Sequence, residues 1–280
     1  MTGPSLVERL GYGSGERLLI VNCDDLGSSE AANRATAEAF AFGIATSATL
    51  MVPCPWALDG LERCAGADIG VHLTLTAEYP GYRWRSLTGA ASLHDDQGYM
   101  PTTAEAVWAQ ARLEDVAAEC RAQIDQALAW GVDVTHLDAH MGTMQIDPRY
   151  FALFVELAAD YDLPMRMFGV GAERQLGFPG RAQASAAGRL YPDHFVSLWG
   201  LPAREVFADS LARLRPGVTE IYLHPVEDGP ELRGYDRTHA EIRIKDRACL
   251  LDPTLKAQVE VAGARLISFR PLRDLQRQAA

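Results

Sequence analysis

The chain has 280 residues, 48% of them hydrophobic and 22% charged, which suits an ordinary folded domain with a large core rather than a disordered or fibrous protein. Its 26 basic against 37 acidic residues give a net charge of −11 with no Lys/Arg block, so nucleic acid is not an expected partner. No apolar run approaches the roughly eighteen residues of a membrane span, the N-terminal MTGPSLVERLGYGSGER lacks a signal-peptide pattern, and the five cysteines have no C-x-x-C spacing. A cytoplasmic protein with buried free thiols and no membrane partner is expected.

Taken in chain order, short apolar or β-branched runs at 18–23, 45–52, 69–75, 134–140, 165–170, 194–199, 220–225 and 265–270 read as strands. Helical patterns lie between most of them. Ser28 or Ser29 can cap the run EAANRATAEAFAF, which stops at Gly43. Thr102 and Glu105 form a T-x-x-E capping box before one long helix in which Val116, Cys120, Ile124 and Leu128 recur every four residues. Asp147-Pro148 and Asp252-Pro253 each place a cap before a first-turn proline. Residues 172–193, broken by glycine and proline, read equally as an interrupted helix or as a loop or irregular connection, and order is expected to fade in the first dozen residues and in the QRQAA tail.

Near-continuous apolar strands alternating with amphipathic helices imply a parallel sheet covered by helices, either closed as a barrel or open and doubly wound. Eight strands favour an α/β barrel, and a barrel of about 250 residues would occupy nearly all of a single domain spanning 1–280, with its core at about 18–270.

In such folds ligands bind at the carboxyl ends of the strands, so polar residues that close apolar strands are candidates for chemistry. Asp24 and Asp25 close the first strand, and adjacent residues there should point different ways. His72 lies on the third strand; His136, Asp138 and His140 alternate along the fourth and share one face; His224 closes the seventh. One carboxylate with two imidazoles is a common ligand set for a catalytic divalent metal, with a spare carboxylate to act as base and a further histidine to act as acid. Asp138 suits the orientation of a ligating imidazole, and His136 either backs a ligand or serves a structural role.

The motifs CDDLG, GVHLTL, HLDAHMG and E-x-x-x-HP, in this order, resemble the YdjC-like carbohydrate deacetylases. The resemblance runs from about Leu18 to Arg270 and implies a distorted TIM-like (β/α) barrel related to the NodB-type deacetylases. It implies metal-dependent removal of an N-acetyl group from an amino sugar, and suggests a homodimer. Asp25, His72 and His140 would be the metal ligands, Asp24 the general base, His224 the proton donor and Glu220 the acidic residue that precedes it. One divalent ion is expected, zinc or magnesium ahead of manganese, cobalt or iron. The chain departs from many relatives in Met141-Gly142-Thr143 after His140 and in Val226 after the His224-Pro pair.

The long connection 77–101 carries Tyr79, Tyr82, Arg83, Trp84 and Arg85, which form either a sugar platform or a loop that packs its own aromatics. Arg237 and Glu241 are candidates for closing the site. Two other functions are weighed: a glycoside hydrolase, for which Asp24 and Asp25 are poorly placed to flank one bond, and an idle sugar-binding protein on the same fold.

Overall fold

Among the described residues every pairing between the sheet's strands is parallel, which is the arrangement that near-continuous apolar strands require when helices cover them. The computed structural model describes residues 3–278, so the outermost residues of the expected domain, 1, 2, 279 and 280, lie outside it. The strands are β1 (Arg17–Leu26), β2 (Ser47–Leu50), β3 (Ile69–Leu73), β4 (Leu137–Ala139), β5 (His194–Ser197), β6 (Gly217–Leu223) and β7 (Ala264–Leu266). They follow the order β4-β3-β2-β1-β6-β5, with β7 joined to the foot of β1 through Arg17–Leu19. The sheet curls into a distorted TIM-like α/β barrel, as expected.

The run at 165–170 is not a full strand. Leu137 N bonds Pro164 O and Arg166 N bonds Leu137 O, at 3.0 and 2.9 Å, but on its other side Met165 N turns to Leu190 O instead of β5. Where a ladder to β5 is missing, the Arg181 guanidinium donates to Phe168 O and Asp193 O. Of the two readings of 172–193 the interrupted helix is the one adopted, as the short helices Val170–Leu176 and Gly180–Ala186.

Alternation along β1 divides its side chains between two environments. Leu19, Val21 and Cys23 join the large core beneath the helices, whereas Leu18 and Ile20 join Val218, Phe269, Leu272 and Val7 in a separate apolar cluster at the barrel floor. Val7 sits on the helix Leu6–Arg9, whose Ser5 and Glu8 form a capping box, so of the first dozen residues those from Ser5 onward are packed where the sequence suggested fading order. Gln276 at the other end of the chain is fastened to Leu190 N, within the helix Arg270–Gln278.

Ser29 caps the helix Glu30–Phe42, and Asp147 and Asp252 cap the helices that begin at Pro148 and Pro253, as their sequences indicate. The capping box at Thr102 is not used: Thr103 is the cap, and the expected long helix splits into Ala104–Gln110 and Leu113–Ala129. The break has a tertiary cause. Gln110 Nε2 donates to Ser92 O and His94 O, and Arg112 N donates to Ser92 Oγ, which draws the chain out of the helix. No helix among the described residues is long and apolar enough to cross a membrane.

Candidate active site

Above the apolar floor the barrel interior turns polar. Asn22 donates to Asp24 Oδ1 at 2.8 Å and to Thr49 Oγ1, Ser47 Oγ donates to Asn22 Oδ1, and Thr49 Oγ1 donates to Asp138 Oδ2. These small polar residues from neighbouring strands hold the carboxylates above them.

Asp24 and Asp25 do not point to opposite faces. Between Cys23 and Leu26 the register of β1 against β2 slips by one residue, and Asp25 adopts φ 67°, a left-handed conformation uncommon outside glycine and asparagine or aspartate. The bulge turns both carboxylates into one buried cluster, at the cost of a strained backbone. A second left-handed pair, Met141 at φ 52° and Gly142 at φ 67°, turns the chain immediately after His140.

Asp25 Oδ1 is the focus of the cluster. His72 Nε2 lies 3.3 Å from it and His140 Nδ1 3.2 Å, and this oxygen is buried with no hydrogen-bond partner among the described residues. The other oxygen, Oδ2, accepts from Arg243 at 2.7 Å. Behind the imidazoles, His72 Nδ1 meets Asp138 Oδ1 at 2.6 Å and His140 Nε2 meets Glu78 Oε2 at 3.0 Å. Burial disfavours charge on both rings, yet the carboxylates around them prevail: Asp138 and Asp25 push His72 up to about 10, and Glu78 and Asp25 push His140 up to about 9. Burial likewise opposes ionisation of Asp25, and His140 and Arg243 outweigh it and hold the carboxyl well below its ordinary range. An orphaned carboxylate oxygen, two convergent imidazole nitrogens and a local demand for positive charge fit a divalent cation.

Asp24, Asp138 and His72 also approach one another. Arg166 already neutralises that group, gripping Asp24 through two nitrogens at 2.6 and 2.7 Å, Asp138 at 2.9 Å and Glu220 at 2.7 Å. A second cation has no reason to settle there. Asp25, His72 and His140 are the better-suited set.

The chain matches the family model described as YdjC-like protein over residues 18–261. It belongs to the YdjC-like family. Among its relatives are a carbohydrate deacetylase of Thermus thermophilus, 39% identical over 81% of this chain and 84% of that protein, and one of Geobacillus stearothermophilus, 31% identical over 91% and 97%. A crystal structure of a candidate cellobiose-phosphate cleavage protein from Enterococcus faecalis superposes with TM-score 0.81 at 25% identity, covering 92% of this chain and 99% of that one.

In this YdjC-like chain His224 stands across from the ligand cluster. Its Nε2 is 3.9 Å from Asp24 Oδ2, its backbone N donates to Asp246 Oδ2 at 2.8 Å, and its ring meets Trp199 edge to face with centroids 4.6 Å apart. Glu220 reaches Arg166 through Oε1, and burial pushes its carboxyl up to about 7 in spite of that arginine. Asp138 backs His72, as its place on β4 suggests.

Other candidates fall elsewhere. His136 lies at the barrel floor, stacked on Phe269 at 3.7 Å between ring centroids and pressed against Gly70, so it backs no ligand. Its burial pulls the imidazole down to about 4. Trp84 is 4% exposed and donates to Thr76 O, Tyr82 donates to Ser28 O, and both rings cluster with Tyr79 and Tyr235. The loop's aromatics thus pack on one another beside His140 instead of lying open as a stacking platform. Arg237 is exposed, and Glu241 pairs outward with Arg233; Arg243, two residues further on, is the arginine that enters the site.

Arg166, Arg243, Glu78, Asp246 and Trp199 were not among the candidates. Arg166 carried a readable signal, a lone guanidinium inside the apolar run LPMRMFG, which burial would oblige to find carboxylate partners. The helix AEIRIKDRACL carries two arginines and a lysine and gives no such hint for Arg243.

Proposed function

We propose that the protein is a metal-dependent carbohydrate deacetylase that hydrolyses the N-acetyl group of an amino sugar. The observation that carries this reading is the convergence of Asp25 Oδ1, His72 Nε2 and His140 Nδ1, with Asp24 beside them and His224 opposite. The names of the Thermus and Geobacillus relatives support the carbohydrate class. When bound, a divalent ion on Asp25, His72 and His140 supplies Lewis acidity toward the amide carbonyl and lowers the pKa of water.

The remaining work belongs to the chain. Asp24 receives the proton of the attacking water, and Arg166 with Asn22 fixes the orientation of its carboxylate. His224 delivers a proton to the departing amine from the other side of the bond. Asp246 anchors the backbone of His224 and places a carboxylate oxygen 3.7 Å from Nδ1, which positions the ring that gives up that proton. The buried Trp84 and Tyr79 and the half-buried Trp199 limit water around the cluster and strengthen each of these interactions.

A glycoside hydrolase would need two carboxylates facing each other across a cleft, and Asp24 and Asp25 lie in one cluster, each held by its own arginine. The test is acetate release from a panel of N-acetylated mono-, di- and aminoglycoside-type sugars, with chelated protein and after add-back of single divalent metals. Acetate that appears only with metal is the expected result. Sugar cleavage without acetate, or acetate release that ignores chelation, would overturn the reading.

A further inference from the structure

The two imidazoles of the ligand cluster face it through different nitrogens. His72 turns Nε2 toward Asp25 Oδ1 and has Nδ1 against Asp138, whereas His140 turns Nδ1 toward the same oxygen and has Nε2 against Glu78. A neutral imidazole has one N–H and one lone pair, and a carboxylate only accepts, so the carboxylate behind each ring decides which nitrogen keeps the proton. Asp138 is fixed in that task by Thr49 and Arg166.

Glu78 is fixed by the chain around it. Ala77 N donates to Pro101 O at 2.8 Å, Trp84 Nε1 donates to Thr76 O at 2.8 Å, and Tyr79 OH accepts from Arg243 at 2.6 Å, so the backbone on both sides of Glu78 is fastened. Trp84 lies against the His140 ring, with centroids 6.4 Å apart, and His72 meets it edge to face at 5.4 Å, which restricts rotation of that ring.

We propose that Glu78 is a positioning residue that holds His140 with its proton on Nε2, so that His140 offers Nδ1 and His72 offers Nε2 to one divalent ion. The inference rests on the metal-dependent reading above and adds to it a residue and a donor atom. The Glu78 side chain is 19% exposed, and the rival role for it is a contact to a sugar hydroxyl. The two roles differ in what they move: positioning changes metal affinity, substrate contact changes KM.

The experiment is a Zn²⁺ titration of metal-free parent, Glu78→Leu and Glu78→Gln proteins by competition with a chromophoric chelator, alongside KM for an N-acetylated sugar. Loss of the acceptor in Glu78→Leu is expected to weaken Zn²⁺ by about 10- to 100-fold. Glu78→Gln, whose amide oxygen still accepts from Nε2–H, should recover most of that loss. Unchanged Zn²⁺ affinity in both variants with a raised KM would overturn the proposal and give Glu78 to the substrate. A parent protein that binds no divalent ion would instead remove the metal-dependent reading itself. Imidazole ¹⁵N shifts of the Zn²⁺-loaded parent give a check independent of variant folding: coordination of His140 through Nδ1 is expected, and coordination through Nε2 would overturn the assignment.

Discussion

Arg166 grips both oxygens of Asp24, at 2.6 and 2.7 Å, from a segment that lies 142 residues further along the chain. The same guanidinium reaches Asp138 and Glu220, so one buried cation organises three carboxylates on β1, β4 and β6. A planar fork can hold a carboxylate in one orientation, whereas an ammonium can only neutralise it.

Arg166→Lys should therefore fold but lose kcat by about 100-fold, because the charge is kept and the orientation of Asp24 is not. Arg166→Met strands three buried carboxylates, and its stability should fall by about 3–5 kcal/mol or more. Denaturant melts and steady-state kinetics on the two variants separate these effects. Equal kcat in parent and Lys variant would remove Arg166 from the positioning of the base.

Metal occupancy should be visible in stability as well as turnover. A divalent ion at about 100 times its Kd binds only the folded cluster and should add about 2.7 kcal/mol to the unfolding free energy. Asp25→Asn should abolish that gain, since Asp25 is the only acidic ligand of the proposed set, and its Oδ1 is the atom the two imidazoles share. A variant that keeps the full metal-induced rise in Tm would move the ion elsewhere.

His136 should make the protein acid-sensitive. Its folded-state value of about 4 lies below that of an unfolded histidine, near 6.5, so between these pH values the unfolded chain binds the extra proton. Stability from this group is complete above about 6.5 and is lost as the pH falls toward 4, by up to about 3 kcal/mol. Its cause is burial against Phe269 and Gly70, with no carboxylate in hydrogen-bond contact to support the charged ring. His136→Leu should flatten the slope of unfolding free energy against pH within that window; an unaltered slope would assign the acid sensitivity to other groups.

The strand ends were legible because a polar residue that closes an apolar run has few structural reasons to be there. Asp24, Asp25, His72, His140 and His224 all come together in the fold, from strands the period already marked. His136 shows the limit of that logic: it shares the strand period with Asp138, yet one layer of depth separates an apolar floor from a polar cluster, and the period of two carries no depth. The aromatic loop 77–101 had two readings because composition does not say which way a ring faces; Trp84 is buried where Tyr79 and Tyr82 pack against its ring and Thr76 O accepts from its indole N–H.

Local chemistry written in consecutive residues was determined by the sequence alone: the Ser29, Asp147 and Asp252 caps, seven of the eight expected strands as named parallel elements with the eighth reduced to the bridge at Met165, and the strand-end motifs. Tertiary structure decided whatever depended on partners far away in the chain. The bulge that turns both aspartates inward, the two arginines that hold them apart and the choice of imidazole nitrogen by Glu78 and Asp138 are long-range relationships. Their physical basis is that a buried charge takes its position from the sum of its neighbours, and those neighbours are assembled only when the barrel folds.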